Sequence, residues 1–183
     1  DGSAYPGEPI NVTVLVNEVA SYTVKLANDT TAGYTVWATQ IFNPPTTGKY
    51  TITLTLPLSL PNLSSSLQSS SPKVYILLIE GDSIIDSKSL DIYPKIVVSP
   101  AETFVVDQNG NAKTATVNVY GVDPGATISS FTFTGPITDT YTLSTPITVE
   151  NDGTGTATLT LSGTSFTKGL PRGTYTVTFG DQS

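Results

Sequence analysis

The sequence predicts an all-β protein, an immunoglobulin-like β-sandwich that is built from two modules. Apolar and polar residues alternate with a period of two along most of the chain, which is typical of half-buried strands. The candidate strands are short and follow one another at intervals of about 8–12 residues, with glycine, proline, asparagine and aspartate between them. The apolar content of 38% suits a folded globule rather than a disordered chain.

The first half of the chain contains six candidate strands separated by proline-rich and glycine-rich turns. Gly81-Asp82 predicts a hairpin that joins the last two. The serine-rich stretch Leu60–Pro72 is predicted as a long loop, with one helical turn at Leu63–Gln68. The strands are Ile10–Asn17, Ala20–Ala27, Tyr34–Phe42, Lys49–Leu56, Lys73–Ile79 and Ser83–Ile92.

The second half begins after the short strand Lys95–Val98, where Ser99-Pro100 marks a boundary. We predict an N-terminal tail and donor strand in residues 1–17, a first sandwich domain in residues 18–95 and a second in residues 96–183; one elongated sandwich is the alternative. The further strands are Thr103–Asp107, Ala112–Tyr120, Ile128–Thr134, Tyr141–Leu143, Ile147–Glu150, Thr154–Leu161 and Thr174–Phe179.

The second half contains a weak internal sequence repeat, which we call the internal echo. Asn109-Gly110 leads into the segment Thr114–Gly121, and Asp152-Gly153 leads into the similar segment Thr156–Gly163. Both dipeptides are typical of type I′ turns, so we predict two similar hairpins within one sandwich.

Few side chains carry charge, and hydroxyl groups replace them. Charged residues make up 13% of the chain, about half of the usual share of roughly 25%, whereas 31 threonines and 19 serines are present. The net charge of −7 argues against nucleic acid or an anionic membrane as a partner. No segment approaches the ~18 consecutive apolar residues of a membrane span. Because the chain opens at Asp1 without methionine, we expect a mature extracellular protein whose secretory signal peptide has been cleaved.

The sequence also argues against catalysis. Cysteine, methionine and histidine are absent, which excludes disulfides, thiolate chemistry and the usual zinc, copper and haem ligand sets. A hydrolytic triad lacks its histidine base. Asp107–Asn111 is similar to the start of a calcium loop, but its glycine falls at the fourth position, where a hairpin turn is favoured. We therefore predict no enzyme activity, no metal and no cofactor.

The most informative segment follows the glycine- and proline-rich lead at the N-terminus. Ile10, Val12, Val14 and Val16 share one face of the first strand, and such β-branched residues fit a half-buried sheet. One interpretation is a donor strand that enters a groove in the next copy, where backbone bonds supply affinity and the four side chains fill pockets. An ordinary first strand, paired within its own sandwich, is the alternative.

Three sequons are candidates for N-linked glycans in an exported protein. They begin at Asn11, Asn28 and Asn62, each with threonine or serine two residues later. A chain so rich in threonine and serine also generates sequons by chance, and Asn62 in the serine-rich loop is the safest of the three.

An exported, cysteine-free, threonine-rich chain with sequons and an alternating N-terminal strand resembles the pilins of archaeal thread filaments. This resemblance implies a fold similar to type I pilins and a homopolymer assembled head to tail by donor-strand complementation. It implies that Ile10, Val12, Val14 and Val16 are the donor residues and that Asn11, Asn28 and Asn62 carry glycans. The chain departs from type I pilins in lacking their cysteine pair, which leaves a dedicated chaperone and usher in doubt.

A second hypothesis is a spacer or carbohydrate-binding module of a surface-layer protein or adhesin. A carbohydrate binder needs exposed aromatic residues on one face. The sole tryptophan, Trp37, shares its strand parity with polar Thr35 and Thr39 but also with Ile41, so its direction is ambiguous.

Overall fold

A computed structural model of the chain describes residues 2–63, 71–99, 113–162, 165, 171 and 173–179. This part folds almost entirely into β-strands in several sheets and contains no α-helix, which confirms the predicted all-β class. Its strands are β1 (Ser3–Ala4), β2 (Pro9–Val16), β3 (Tyr22–Ala27), β4 (Val36–Phe42), β5 (Gly48–Thr55), β6 (Lys73–Glu80), β7 (Ser83–Ile92), β8 (Lys95–Ser99), β9 (Lys113–Tyr120), β10 (Thr127–Thr134), β11 (Thr138–Thr148), β12 (Gly155–Leu161) and β13 (Thr176–Phe179).

The strands before β8 form two sheets around one hydrophobic core, which we call the first unit. One sheet has the strand order β1-β7-β6-β3-β4, and the other contains β2 and β5 alone. Alternate residues of both sheets point into the core, because successive side chains of a strand lie on opposite faces. The fully buried core residues include Val24, Leu26, Leu56 and Val74.

The remaining strands form what we call the second unit, which has its own core. Its two three-stranded sheets have the orders β12-β9-β8 and β11-β10-β13. Val117, Val119 and Phe131 are fully buried between them. The two large cores share no residue, with Ile92 the last member of one and Ala115 the first of the other. The domain limits at residues 17 and 95 stay a prediction.

Two details of the predicted hairpins change in the structure. The strands of the internal echo, β9 and β12, pair with each other, with Ala115 opposite Leu159. Gly153 does form a turn, with a φ of 77°. However, the strands on either side of that turn, β11 and β12, belong to different sheets, so the predicted Asp152-Gly153 hairpin is wrong. The alternate residues Leu159 and Leu161 of β12 are buried in the core between the two sheets. The turn at Asp152-Gly153 therefore takes the chain from one sheet to the other.

Several predictions fall on residues that the structure does not describe. These are the strand Thr103–Asp107, the Asn109-Gly110 turn, the calcium-like segment Asp107–Asn111 and the part of the helical turn after Leu63.

Among the described strands, the two predicted at Tyr141–Leu143 and Ile147–Glu150 form the single strand β11, whose pairing with β10 shifts register beside Ile128.

The two units meet at a joint made of main-chain bonds and close contacts. The amide of Leu60 donates to the carbonyl of Asp152 at 3.0 Å, and the Ser59 hydroxyl donates to the Asp152 carboxylate at 2.5 Å. Burial alone would raise the pKa of Asp152, but hydrogen bonds from Ser59 and Thr154 outweigh this and hold the pKa below its ordinary value. A Cβ at Gly153 would come within 2.5 Å of a Leu63 methyl carbon.

The N-terminal segment before β2 also contributes contacts to this joint. Pro6 is buried, and a Cβ at Gly121 would come within 2.8 Å of the Pro6 ring and 3.0 Å of Ile92. A longer ion pair joins Lys95 to Glu8 at 3.9 Å. The segment before β2 therefore contacts the end of β7 and the chain that follows β9.

Candidate functional site

The candidate site is the side of the first unit where β2 lies. β2 pairs with β5 of its own chain along its whole length, from Pro9 opposite Thr55 to Val16 opposite Gly48. Ile10, Val14 and Val16 are buried, and Val12 is half-buried against the same core. The predicted apolar face of the strand is thus confirmed, and in the single chain these four residues belong to the core of their own first unit. Whether a neighbouring copy takes this strand stays a prediction.

The outer edge of β2 has no partner strand within the described ranges, because its sheet contains only β2 and β5. The Leu56 amide donates to the Glu8 carbonyl at 3.0 Å. Since the bonds of an antiparallel ladder alternate, even-numbered residues of β2 bond to β5 and odd-numbered ones turn away. The peptide groups of Asn11, Thr13 and Leu15 therefore point towards the open edge.

The opposite wall is β7, whose outer edge is also largely uncovered. The two-residue strand β1 pairs with it only at Asp91 and Ile92. No other described strand lies against the outer edge of the remaining stretch, Ser83–Leu90. This edge was not predicted from the sequence, although the polar run Asp86–Ser89 is typical of an edge strand.

A groove of about 830 Å³ lies between the two edges. Its floor contains Val24, which is fully buried, together with the half-buried Ile76 and Leu78. Asp86 and Lys88 of β7 line its other wall. An apolar floor between two strand edges suits main-chain bonding to an extended segment, with alternate side chains directed into the floor.

β2 is also joined to the rest of its unit by an accessible segment. Residues 17–21 connect Val16 to Tyr22, and all of them are exposed except the half-buried Ala20. Val19 in this segment has 57% of its surface exposed. The segment is tied down by the Tyr22 hydroxyl, which donates to the Glu18 carbonyl at 2.7 Å.

Burial in the single chain argues against the predicted glycan at Asn28. Asn28 has 4% of its surface exposed, its side-chain oxygen accepts from the Thr35 amide at 2.7 Å, and its side-chain nitrogen donates to the Asn62 carbonyl at 3.1 Å. A sugar on that nitrogen would displace it from the Asn62 carbonyl and would need space that the surrounding chain occupies. Asn28 therefore holds the end of β3 against the loop that contains Asn62, and it is a structural residue.

The other two sequons are exposed. Asn11 lies on the outer face of β2, where its side-chain oxygen accepts from the Thr53 hydroxyl at 2.8 Å. Asn62 has a left-handed backbone, with a φ of 58°, and its side-chain nitrogen donates to the Thr35 hydroxyl at 2.9 Å. Both positions leave room for a glycan above the surface.

The aromatic residues give little support to a carbohydrate platform. Trp37 is buried, and its ring nitrogen donates to the Pro61 carbonyl at 2.9 Å, which resolves the ambiguous direction in favour of the core. Tyr5 and Tyr93 are exposed near the joint, but their rings stack on each other with centroids 5.8 Å apart.

Ionisable groups around the site are few. A hydrogen bond from Lys73, 2.5 Å away, lowers the pKa of Asp91, and the same bond raises the pKa of Lys73. Hydrogen bonds from the Thr31 hydroxyl and the Thr30 amide lower the pKa of Asp29. Across the described residues, no group of three or more histidine, cysteine, aspartate or glutamate side chains could hold a metal ion.

No helix in the described part of the chain is long and apolar enough to cross a membrane. A comparison of the sequence with protein-family models and with curated proteins gives no match.

Proposed function

We propose that this chain is the structural subunit of an extracellular filament, in which each copy lends β2 to the next copy. The observation that carries the proposal is that, among the described strands, β2 is hydrogen-bonded only to β5 and has its outer edge open to the groove. The lead that precedes β2 would move with the strand, so exchange would transfer the short pairing of β1 with β7 to the neighbour as well. The immunoglobulin-like fold and the resemblance to archaeal thread pilins belong to the same proposal.

Exchange of β2 conserves the contacts of the monomer. Ile10, Val14 and Val16 would occupy the same places beside β5 of a neighbour, and burial of each is worth about 1.5–3 kcal/mol. An apolar strand face cannot stay in water, so a copy that has lost its own β2 accepts one from another copy. Because the giving and receiving surfaces differ, the contact repeats head to tail into a fibre.

A pair of introduced cysteines tests the exchange. Thr13 and Thr51 face each other across β2 and β5, both are exposed, and the natural chain has no cysteine that would interfere. Directly opposite residues of this kind lie about 4.5–5.5 Å apart, within the range of a disulfide. We expect the Thr13→Cys, Thr51→Cys variant to form filaments visible by electron microscopy. On a non-reducing denaturing gel, oxidised filaments should give a ladder of covalent multimers.

A matched pair in the second unit supplies the control. Thr116 and Thr158 face each other across β9 and β12, so cysteines at these positions should close within one chain before and after assembly. If oxidised filaments of the Thr13 and Thr51 variant migrate as single chains on this gel, β2 pairs with β5 of its own chain and exchange is refuted. If no filaments form under any condition of export or concentration, the spacer-module hypothesis replaces the filament.

A further inference from the structure

An open pocket of about 420 Å³ lies where the two units meet. The first unit contributes Pro61 and Asn62 to its wall, and the second unit contributes the turn that follows β11. The residues of that turn in the wall are Glu150, Asn151, Asp152 and Thr154. All of the lining residues except the proline have a side-chain oxygen that accepts hydrogen bonds. The pocket therefore suits a ligand that is rich in hydroxyl groups.

The loop that carries Asn62 is held firmly on its inner side. Leu60 and Leu63, on either side of the asparagine, are fully buried. The carbonyl of Pro61 accepts from the ring nitrogen of the buried Trp37 at 2.9 Å. Because the neighbouring residues are fixed in this way, the direction of a group attached to Asn62 is restricted too.

The backbone of Asn62 has an uncommon conformation for a residue with a side chain. In the part of the chain that the structure describes, it is the one non-glycine residue with a positive φ, 58°, a region that asparagine tolerates better than most residues. Its exposed side chain is the acceptor of a sequon, and its nitrogen donates to the Thr35 hydroxyl at 2.9 Å. N-glycosylation replaces one of the two amide hydrogens, so the other still serves this bond beneath a sugar.

We propose that the pocket at the joint binds the saccharide attached to Asn62, whose first sugars contact the turn of the second unit. This step depends on the predicted glycan at Asn62 and not on exchange of β2. Sugar hydroxyls donate to the side-chain oxygens of Glu150 and Asn151, both of which are exposed. The glycan thereby connects the two units beside the bond from Leu60 to Asp152, and it limits the opening of the joint.

Hydrogen exchange at the Leu60 amide tests this role, because that amide donates to the Asp152 carbonyl across the joint. Ser64→Ala removes the sequon and leaves Asn62 in place. With both proteins made in the native cell, we expect Leu60 to exchange about tenfold faster in Ser64→Ala than in the glycosylated wild type. That factor corresponds to the loss of about one or two net hydrogen bonds from the closed joint.

Two further variants separate contact with the turn from the mere presence of a glycan. Thr13→Ala removes the Asn11 sequon, which lies on the outer face of β2, and it should leave exchange at Leu60 unchanged. Asn151→Ala removes a side chain of the pocket without changing the charge. It should speed up exchange at Leu60 in the glycosylated protein but not in the Ser64→Ala background.

The outcomes also distinguish this inference from the filament proposal. If Leu60 exchanges at the same rate with and without the glycan, or if mass mapping finds no sugar at Asn62, the inference is overturned. An equal effect of Asn151→Ala in both backgrounds would show that the turn acts on the joint directly and that the sugar does not bind it. In each of these cases the cysteine pair at Thr13 and Thr51 still decides whether β2 is exchanged.

Discussion

The buried Asn28 offers a quantitative test of the first unit, because its side chain bonds to two different segments. Asn28→Ala removes the acceptor of the Thr35 amide and the donor to the Asn62 carbonyl. A hydrogen bond contributes about 0.5–1.5 kcal/mol net, and both of these bonds are only partly buried, so the free energy of unfolding should fall by about 1–3 kcal/mol. Urea titration followed by the fluorescence of Trp37 measures this change, since the tryptophan bonds to the same loop.

Two further variants make the reasoning refutable. Asn28→Asp keeps an acceptor for the Thr35 amide but directs a second oxygen at the Asn62 carbonyl. Burial then raises the pKa of the new carboxyl, so this variant is relatively most stable below the ordinary carboxyl pKa and loses stability as pH rises. Asn17→Ala, at an exposed position, should change stability by less than about 0.5 kcal/mol. An Asn28→Ala variant as stable as Asn17→Ala would show that the amide does not hold this corner.

Three other predictions concern the joint, the glycans and the response to acid. Gly153→Ala should destabilise the chain by about 1–3 kcal/mol more than Gly125→Ala, because both glycines have positive φ values but only at Gly153 would an added Cβ meet other atoms within 4 Å; equal urea midpoints would contradict this. Mass mapping of protein from its native cell should find glycans at Asn11 and Asn62 and none at the buried sequon, and a bare chain would refute this. Hydrogen-bonded carboxylates such as Asp91 have lowered pKa values, so their stabilisation is present above the ordinary carboxyl pKa and is lost below about pH 4. Because such groups are few and partly exposed to solvent, the melting temperature should fall only modestly at pH 3, and a collapse of the fold there would contradict the expectation.

The strand pattern can be predicted from the sequence because each strand carries its own signal. The sequence predicts Ser83–Ile92 with the limits that the structure gives, and the Gly81-Asp82 turn joins it to β6. Period-two alternation reports which face of a strand is buried, and Ile10, Val14 and Val16 follow it. Alternation says nothing about which strand lies alongside.

The pairing of strands and the burial of single polar side chains therefore cannot be predicted from the sequence. The turn at Asp152-Gly153 has the residues of a hairpin, yet it crosses between two sheets. Asn28 looks accessible in the sequence because it follows a strand and precedes Asp29, whereas its burial depends on a loop 34 residues away. The groove could not be predicted either, since it lies between β2 and the largely uncovered edge of β7, which belong to different sheets.

The eight paired residues of β2 also determine how a joint made from this strand would bear load. Hydrogen bonds of an antiparallel ladder stand perpendicular to the strands, and those between Pro9–Val16 and Gly48–Thr55 extend without a register shift. A pull along the axis of β2 strains all of these bonds together, whereas a sideways pull peels them apart one by one from an end. Subunits linked through this strand would resist stretching far better than they resist a force that lifts the strand out of its sheet.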